Sequence, residues 1–325
     1  MIREEGMLKK YRIGVLAGGS SSERDISLKS GKAVFKALTE NGFKAEFIDV
    51  DEKSFSSLVG RLDIDIAFIA LHGKFGEDGT IQRMLARRNI PYTGSGPESS
   101  ALALDKLASK RKFASSGINM PDYRVVHSKE EAEEADIFLP CAVKPRCEGS
   151  SVGLSIASSI SSLEKAIEEA LKFGDDVIIE KFISGREITV GVLDEEALPP
   201  VEIKALNGVY DFNAKYQSGE TLYIVPAELE EGQYKRAQKV ALGAHKALGC
   251  EGFSRIDLRL SDEGEFFVLE VNTIPGLTER SLLPMAAKAA GLDFPELCLR
   301  MLYNALRNER REEKWQKEEL LKRRA

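Results

Sequence analysis

The stretch between residues 250 and 284 constrains this chain most, because it contains two runs in which apolar and polar residues alternate. A polar break at 261–264, which includes a glycine, separates the runs. Period-2 alternation on both sides of a glycine-containing turn is typical of a β-hairpin. The alternation predicts an apolar face made of Ile256, Leu258, Leu260, Phe267, Leu269 and Val271.

The other face of this hairpin carries a candidate metal site. If Glu263-Gly264 are the central turn residues, Asp257 lies opposite Glu270, and Arg255 lies opposite Asn272. Two opposed carboxylates repel each other, so the pair favours a cation between them. Carboxylate and amide oxygens are ligands that Mg²⁺ prefers when it also holds nucleotide phosphates. The alternative is a solvated polar face on a hairpin whose other face is core.

Composition limits the possible class of protein. The 325 residues suffice for about two or three domains. No apolar run approaches the roughly 18 residues of a membrane span, and the first residues lack the apolar core of a secretory signal. Four scattered cysteines without a C-x-x-C pair favour a reducing cytoplasm over a zinc site or a disulfide framework. A net charge of −6 argues against nucleic-acid binding.

The N-terminal part alternates between apolar strands and helical patterns, with strands expected at 11–17, 43–50 and 64–73. This order predicts a doubly wound parallel sheet, in which ligands bind beyond the carboxyl ends of the strands. Glu23 and His72 follow strand ends and are therefore candidate site residues. Alternatively, Glu23 forms a capping box with Ser20, and His72 is an ordinary hydrogen-bonded loop histidine.

The middle of the chain predicts a smaller α+β unit, preceded by one helix from Glu98 to Ser116. Lys144 lies near the end of a buried strand, and the glycine- and serine-rich segment 146–155 follows it. Such a loop can bind polyphosphate through amides and hydroxyls, although an ordinary hairpin loop is the alternative. Two strands are expected at 176–193, around Ser184-Gly185. The lysines that interrupt apolar segments must meet an anion or reach solvent; they are Lys106, Lys144 and Lys181.

The C-terminal part contains a long polar loop with aromatic residues between 199 and 226, followed by an amphipathic helix and the hairpin. Long loops of this kind are often lids. Ser281 is expected to cap a further helix. The last residues predict a charged helix with i,i+4 ion pairs, and the first ten or so predict a loose extension.

The motifs, in their order and spacing, resemble those of the D-alanine–D-alanine ligase family of ATP-grasp enzymes over residues 12–303. The matching pieces are GGSSSERDISLKSG, ALHGKFGEDGTIQ, PYTGSG, DK at 105–106, VKP, EGSSVG, IEKFISGRE, DFNAKY, GFSRIDLRL and EVNTIPGLTERSLLPMAA. The resemblance implies an α/β N-terminal domain with a doubly wound parallel sheet, followed by a two-lobed ATP-grasp fold. The division it implies is an extension (1–11), a substrate-binding domain (12–107), a central lobe (108–193), a catalytic lobe (194–303) and a charged helical tail (304–325).

The resemblance also implies a reaction. One D-alanine carboxylate attacks the γ-phosphate of ATP to give an acyl phosphate, which the amine of a second D-alanine attacks with loss of phosphate. The expected cofactors are ATP and two Mg²⁺ ions, with Mn²⁺ possible. The enzyme is expected to be a cytoplasmic homodimer of peptidoglycan precursor synthesis, with no nucleic-acid or membrane partner. The alternatives are a ligase for D-lactate or another D-amino acid and a non-catalytic nucleotide-binding module. Tyr216 favours an amine as the nucleophile and so disfavours D-lactate.

Residue roles follow from the same resemblance. The implied catalytic residues are Glu23, Ser150, Tyr216, Arg255, Gly276 and Ser281. Those implied to bind D-alanine are Glu23, His72, Lys215, Arg255, Ser281 and Leu282. Those implied to bind the nucleotide are Lys106, Lys144, Ser150, Ser151, Glu180, Lys181, Phe182, Ile183, Glu187 and Lys215. The implied metal ligands are Asp257, Glu270 and Asn272.

One position departs from the family pattern. The family often has an arginine directly before Glu148-Gly149, whereas this chain has Cys147 there and Arg146 one place earlier. The loop is therefore expected to hold phosphate slightly differently, or with Arg146 as the substitute.

Overall fold

The structure, a computed structural model, describes residues 6–134, 136–205 and 221–307. The strands of the first sheet are β1 (Arg12–Gly18), β2 (Lys44–Val50) and β3 (Ile66–Ile69). They pair in parallel in the order β2-β1-β3, so the predicted parallel sheet is confirmed. β1 and β3 are apolar and almost wholly buried, as expected of strands covered on both faces.

The helices of this part break at a place that the sequence pattern concealed. They are α1 (Arg24–Glu40), α2 (Glu52–Leu58), α3 (Thr80–Ala86), α4 (Pro97–Leu104) and α5 (Lys106–Ser115), with a 3₁₀ turn at Val59–Arg61. The single helix predicted from Glu98 to Ser116 is therefore wrong. Asp105 has an extended backbone and accepts hydrogen bonds from the backbone N–H groups of Leu107 and Ala108, at 3.1 and 3.0 Å. It caps a new helix, which Lys106 begins.

The second sheet is antiparallel. Its strands are β4 (Tyr123–Val126), β5 (Cys141–Pro145), β6 (Ser155–Ala157) and β7 (Val177–Lys181), in the order β4-β7-β5-β6. Two helices accompany it, α6 (Lys129–Glu134) and α7 (Ile160–Ala170). Val143 and Ile179 pack with Leu163 and Ile167 of α7 in one core. Since side chains alternate along a strand, Lys144 and Glu180 project from the opposite face.

The third sheet contains the hairpin. Its strands are β8 (Arg186–Leu193), β9 (Glu196–Ala197), β10 (Val201–Lys204), β11 (Leu222–Ile224), β12 (Phe253–Leu260) and β13 (Phe266–Asn272). The order is β11-β10-β8-β12-β13, and β9 pairs with β8. Helix α8 (Glu231–Ala247) packs on it, and so do α9 (Leu282–Ala289) and the helical segment 294–307.

Two strands that are neighbours in sequence lie in different sheets. β7 belongs to the second sheet and β8 to the third, where β8 pairs with both β10 and β12. The two strands expected at 176–193 therefore do not pair with each other. Residues 182–185 cross between the sheets, and segment 186–193 lies with the C-terminal strands rather than with the central unit.

The register of the β12–β13 hairpin matches the expected one at one end only. Asp257 pairs with Glu270, and Arg255 pairs with Asn272. The register then shifts at a β-bulge, so that Leu258 pairs with Val268. The expectation that Phe267 and Leu269 share the apolar face is wrong, because the extra residue of the bulge moves the core positions to Phe266 and Val268. Leu269 consequently lies on the same side as Glu270.

The N-terminal residues that the structure describes are not a loose extension. Leu8 is fully buried in a core cluster that joins the first and third sheets. The same cluster contains Phe68 of β3, Phe253 of β12 and Met301 of the last helical segment. In the part of the chain described, no helix is long and apolar enough to cross a membrane.

We predict that L8A destabilises the protein by about 2–5 kcal/mol, because truncating a buried leucine loses apolar burial and leaves a cavity. Urea unfolding would measure the change, with K10A at an exposed neighbouring position as the control. Equal stabilities for L8A and K10A would contradict this packing.

Candidate functional site

A cleft opens between the second and third sheets and encloses about 780 Å³, including solvent at its mouth. The predicted nucleotide and metal residues that line it are Lys106, Lys144, Ser151, Glu180, Lys181, Phe182, Ile183, Glu187, Asp257 and Glu270. Two sheets that are joined by a short crossing segment thus bring together residues far apart in sequence.

A buried ion cluster forms the floor of this cleft. The Lys144 ammonium donates to Glu180 Oε2 at 2.7 Å, and Lys110 Nζ lies 3.0 Å from Glu180 Oε1. Burial alone would raise the pKa of Glu180, but the charges of the two lysines outweigh it and lower this pKa to about 2. Glu180 is therefore ionised at neutral pH. Lys110 was missed by the sequence analysis, because a lysine on a helix normally reaches solvent.

Two side-chain hydrogen bonds hold the glycine-rich loop after β5, one at its start and one at its tip. Ser150 and Ser151 have positive φ values of 48° and 59°, a conformation that non-glycine residues seldom adopt. Lys106 Nζ donates to the carbonyl of Glu148 at the start of the loop. At its tip, the hydroxyl of Ser150 donates to Glu23 of the first domain.

Arg146 does not take the place of the loop arginine that precedes Glu148-Gly149 in the family. Its guanidinium donates to both carboxylate oxygens of Asp105, at 2.8 and 2.6 Å, and to Asp176 at 2.5 Å. Its carbonyl accepts from the backbone N–H of Lys106 at 3.1 Å. Arg146 does not line the cleft. It joins β5 to the start of α5, and it is not placed to replace the missing arginine of the loop.

Asp257 of the hairpin is surrounded by donors. Arg255 contacts it through two nitrogens at 2.9 and 2.7 Å. Thr189 of the neighbouring strand β8 donates at 2.6 Å, and the amide of Asn272 donates at 3.2 Å. Glu270 lies directly opposite, 4.0 Å from the ammonium of Lys106. The alternative of a solvated polar face is wrong for Asp257, which is 5% exposed.

A second cavity of about 1740 Å³ adjoins the other end of the hairpin. The predicted site residues that line it are Glu23, His72, Ser150, Arg255, Asn272, Gly276, Ser281 and Leu282. Asp257 and Asn272, which are hydrogen-bonded to each other, therefore lie where the two cavities approach.

Glu23 is not a helix cap. It lies at the N-cap position of α1, yet its side chain makes no capping bond, and Ser20 donates instead to Glu52. The capping-box alternative is therefore wrong. The Glu23 carboxylate is 7% exposed and accepts from Ser150 across the cavity.

His72 is neutral, with a defined tautomer. Its Nδ1 lies 2.9 Å from the carbonyl of Ile274, which can only accept, so Nδ1 carries the proton. Nε2 then accepts from the hydroxyl of Ser30 at 3.1 Å. Burial lowers the pKa of His72, which agrees with a neutral ring. Both ring nitrogens of His72 thus make hydrogen bonds within the protein, as expected of an ordinary hydrogen-bonded loop histidine.

These bonds belong to a network that fixes the segment after β13. Ser30 also accepts from the backbone N–H of Leu277 at 3.1 Å. Glu77 accepts from the N–H of Gly73 at 2.7 Å and from that of Ile274 at 3.2 Å. Burial, reinforced by the charge of Glu23, raises the pKa of Glu77 to about 8. Sequence analysis missed Ser30 and Glu77, although Glu77 follows a strand end as His72 does.

Ser281 and Gly276 meet closely at the edge of the second cavity. Ser281 is the N-cap residue of α9, as predicted, but its hydroxyl accepts from the N–H of Thr278 at 3.0 Å instead of capping. A Cβ on Gly276 would lie 2.8 Å from this hydroxyl, so a larger residue would force the Ser281 side chain to move. Lys215 and Tyr216, which were also predicted, lie outside the described residues.

Solved structures define the class of this protein. The D-alanine–D-alanine ligase from Bacillus anthracis complexed with ATP has a TM-score of 0.78 at 33% identity, covering 93% of this chain and 99% of that chain. VanG D-Ala:D-Ser ligase from Enterococcus faecalis has a TM-score of 0.79 at 30% identity, covering 90% and 98%. The likeness to these structures, together with the cleft between two sheets, shows that the protein is an ATP-grasp ligase. The predicted fold class is therefore confirmed.

Sequence comparison narrows the class to a family. Residues 113–303 match the family described as D-ala D-ala ligase C-terminus, and residues 55–95 match D-ala D-ala ligase N-terminus. The D-alanine–D-alanine ligase of Citrifermentans bemidjiense is 47% identical over 298 residues, which cover 92% of this chain and 97% of the relative. The chain belongs to the D-alanine–D-alanine ligase family, as the sequence motifs indicated.

We predict that S30A destabilises the protein by about 1–3 kcal/mol, because it leaves Leu277 N–H and His72 Nε2 buried without their partner. Hydrogen exchange at the amide of Leu277 should also become faster. S57A, at an exposed serine of α2, serves as the control. Unchanged exchange at Leu277 in S30A would refute the network.

Glu180 should make stability depend on acid pH. Its folded pKa of about 2 lies below the ordinary value near 4.5, so its stabilising effect is complete above about pH 4.5 and is lost as the pH falls toward 2. In E180Q, this part of the pH dependence should be absent. Urea unfolding across pH 2–6 would test it, with the exposed E169Q as the control. The same slope in E180Q and wild type would contradict the assignment.

Proposed function

We propose that this protein joins two D-alanine molecules to D-alanyl-D-alanine at the expense of ATP, by way of a D-alanyl phosphate, for peptidoglycan precursor synthesis. The observation that carries the proposal is the position of the hairpin. Asp257 and Asn272 lie between a cleft lined by lysines and a cavity lined by Glu23, Arg255 and Gly276. A phosphoryl group can thus pass from a nucleotide in the cleft to a carboxylate in the cavity.

The cleft suits a nucleoside triphosphate. Lys106 and Lys144 present ammonium groups near the glycine-rich loop, where phosphates carry their charge. Phe182 and Ile183 provide apolar contact for a base, beside Glu180 as an acceptor for an exocyclic amine. Glu187, at the far end of the crossing segment, is assigned to the ribose hydroxyls. Ser151 and Lys181 complete this set.

The residues assigned to the metal fit magnesium. In the described part of the chain, no group of three or more histidine, cysteine or acidic side chains forms a metal centre. Two carboxylates and one amide, Asp257, Glu270 and Asn272, suit Mg²⁺, which keeps several waters and takes phosphate oxygens as further ligands. When bound, Mg²⁺ supplies positive charge to the phosphates. Asn272 must turn its amide oxygen toward the ion and release Asp257.

The second cavity suits two D-alanine molecules. Glu23 is assigned to the ammonium of the first D-alanine. Arg255 and the backbone N–H of Gly276 are assigned to the oxyanion of the tetrahedral intermediate, where one such donor is worth about 3–4 kcal/mol. Ser281 and Leu282, with Lys215, are assigned to the carboxylate side of the second. His72 acts here by fixing the backbone at Ile274, since both its nitrogens are engaged.

Exclusion of water is the task assigned to the loops. An acyl phosphate is hydrolysed if water enters, so the site must close over it. The bond from Ser150 to Glu23 supports closure of the glycine-rich loop over the cavity. Tyr216 is assigned to the same closure. We also place the enzyme in the cytoplasm as a homodimer; its four unpaired thiols support a reducing compartment.

The decisive experiment is phosphate release with ATP, Mg²⁺ and D-alanine alone, with the product identified by mass. We expect D-alanyl-D-alanine and one phosphate for each dipeptide. D-lactate and D-serine, each added with D-alanine, test the alternative second substrates across pH 6–9. Absence of turnover until D-lactate or D-serine is present would reject the D-alanine dipeptide as the product, and no product with any of them would reject the enzyme.

We predict that E270Q lowers kcat by at least about a hundredfold while leaving the protein folded, because it removes a charge assigned to the metal. E263Q, at an exposed position in the turn of the same hairpin, should keep wild-type turnover. Circular dichroism would establish folding in both variants. Wild-type turnover in E270Q would overturn the metal assignment.

A further inference from the structure

Lys110 is a buried cation that the assignments above leave without a role. It lies on α5, is 1% exposed and does not line the cleft. Its ammonium approaches Glu180 from behind, 3.0 Å from Oε1, and stands 5.2 Å from the centre of the Tyr123 ring. Burying a lysine is unfavourable unless it is paired, so the position needs a physical reason.

Glu180 has two cationic neighbours. One carboxylate, with its two oxygens, meets two ammonium groups: Oε2 binds Lys144 at 2.7 Å, and Oε1 faces Lys110. Tyr123 and Ala142 pair with Glu180 on the neighbouring strands and bring no charge. Among themselves, Lys110, Lys144 and Glu180 carry one net positive charge. Glu187 and Glu270 of the third sheet also act on Lys144, the lysine that lines the cleft.

Removing Lys144 from Glu180 would be costly if Glu180 had no other partner. A buried carboxylate that loses its counterion is strongly destabilising. With Lys110 in place, Glu180 keeps a cation when Lys144 turns toward another anion. The presence of Lys110 thus allows Lys144 to leave Glu180 for another anion.

We propose that Lys110 is a positioning residue that serves as the permanent counterion of Glu180 and so frees Lys144 to bind the phosphates of the nucleotide. The inference rests on the proposed nucleotide site and assigns Lys110 a role in its affinity. It concerns the polyphosphate part of the ligand, because Lys144 is the group set free.

K110M tests the proposal. A neutral Lys144–Glu180 pair remains in this variant, so its melting temperature should equal that of wild type or exceed it. Lys144 is then retained by Glu180, and Mg²⁺-ADP and a non-hydrolysable ATP analogue should bind at least about tenfold more weakly. KM for ATP should rise by a similar factor, whereas KM for D-alanine stays unchanged. K110R, which keeps the charge, should restore most of the affinity.

Two controls separate the possible outcomes. K112M removes an exposed lysine from the same helix and should bind nucleotide as wild type does. Adenosine has no phosphates and should bind K110M as well as it binds wild type, measured by calorimetric competition. If adenosine weakens as much as ADP, or if K110M equals K112M, the role of Lys110 is refuted. Failure of wild type to bind Mg²⁺-ADP would instead refute the nucleotide site.

Discussion

The pairing of β12 with both β8 and β13 is the constraint on which the rest of the site depends. β12 is an interior strand, and its register places Asp257 beside Thr189 on one side and Glu270 on the other. Two hydrogen-bonded neighbours fix the strand far better than an edge position would. The buried carboxylate of Asp257 therefore has hydrogen-bond partners, because Arg255, Thr189 and Asn272 all donate to it.

Sequence patterns predicted the elements well and their partners less well. Alternation located both strands of the hairpin and the pairing of Asp257 with Glu270, because side chains of a strand follow a strict period. The bulge near Leu269 was not predicted, since the only sign of one extra residue in the sequence is a break in the alternation. The placement of β7 and β8 in different sheets was not predicted either. A short turn between two apolar runs gives no information about which sheet each run joins.

The buried polar residues were the hardest to predict. Ser30, Glu77 and Lys110 occupy a helix or loop in which a polar side chain usually faces solvent. Each is explained only by a partner distant in sequence: Leu277 for Ser30, Ile274 for Glu77. The residues to which the family resemblance gave a site role were located more reliably, because every one of them that the structure describes lines one of the two cavities. Their chemical roles remain proposals.

On the proposed function, charge matching also explains how the cleft can hold a nucleotide without leaving its lysines and carboxylates unpaired. The two buried lysines that line it already have anionic or carbonyl partners: Lys106 lies near Glu270 and the Glu148 carbonyl, and Lys144 near Glu180. A magnesium nucleotide brings both signs of charge. Its phosphates would take the place of carboxylates as partners of the lysines, and its metal would be held by the hairpin carboxylates. Glu180 is not among those assigned to the metal, so it stays paired only if it keeps a cation of its own.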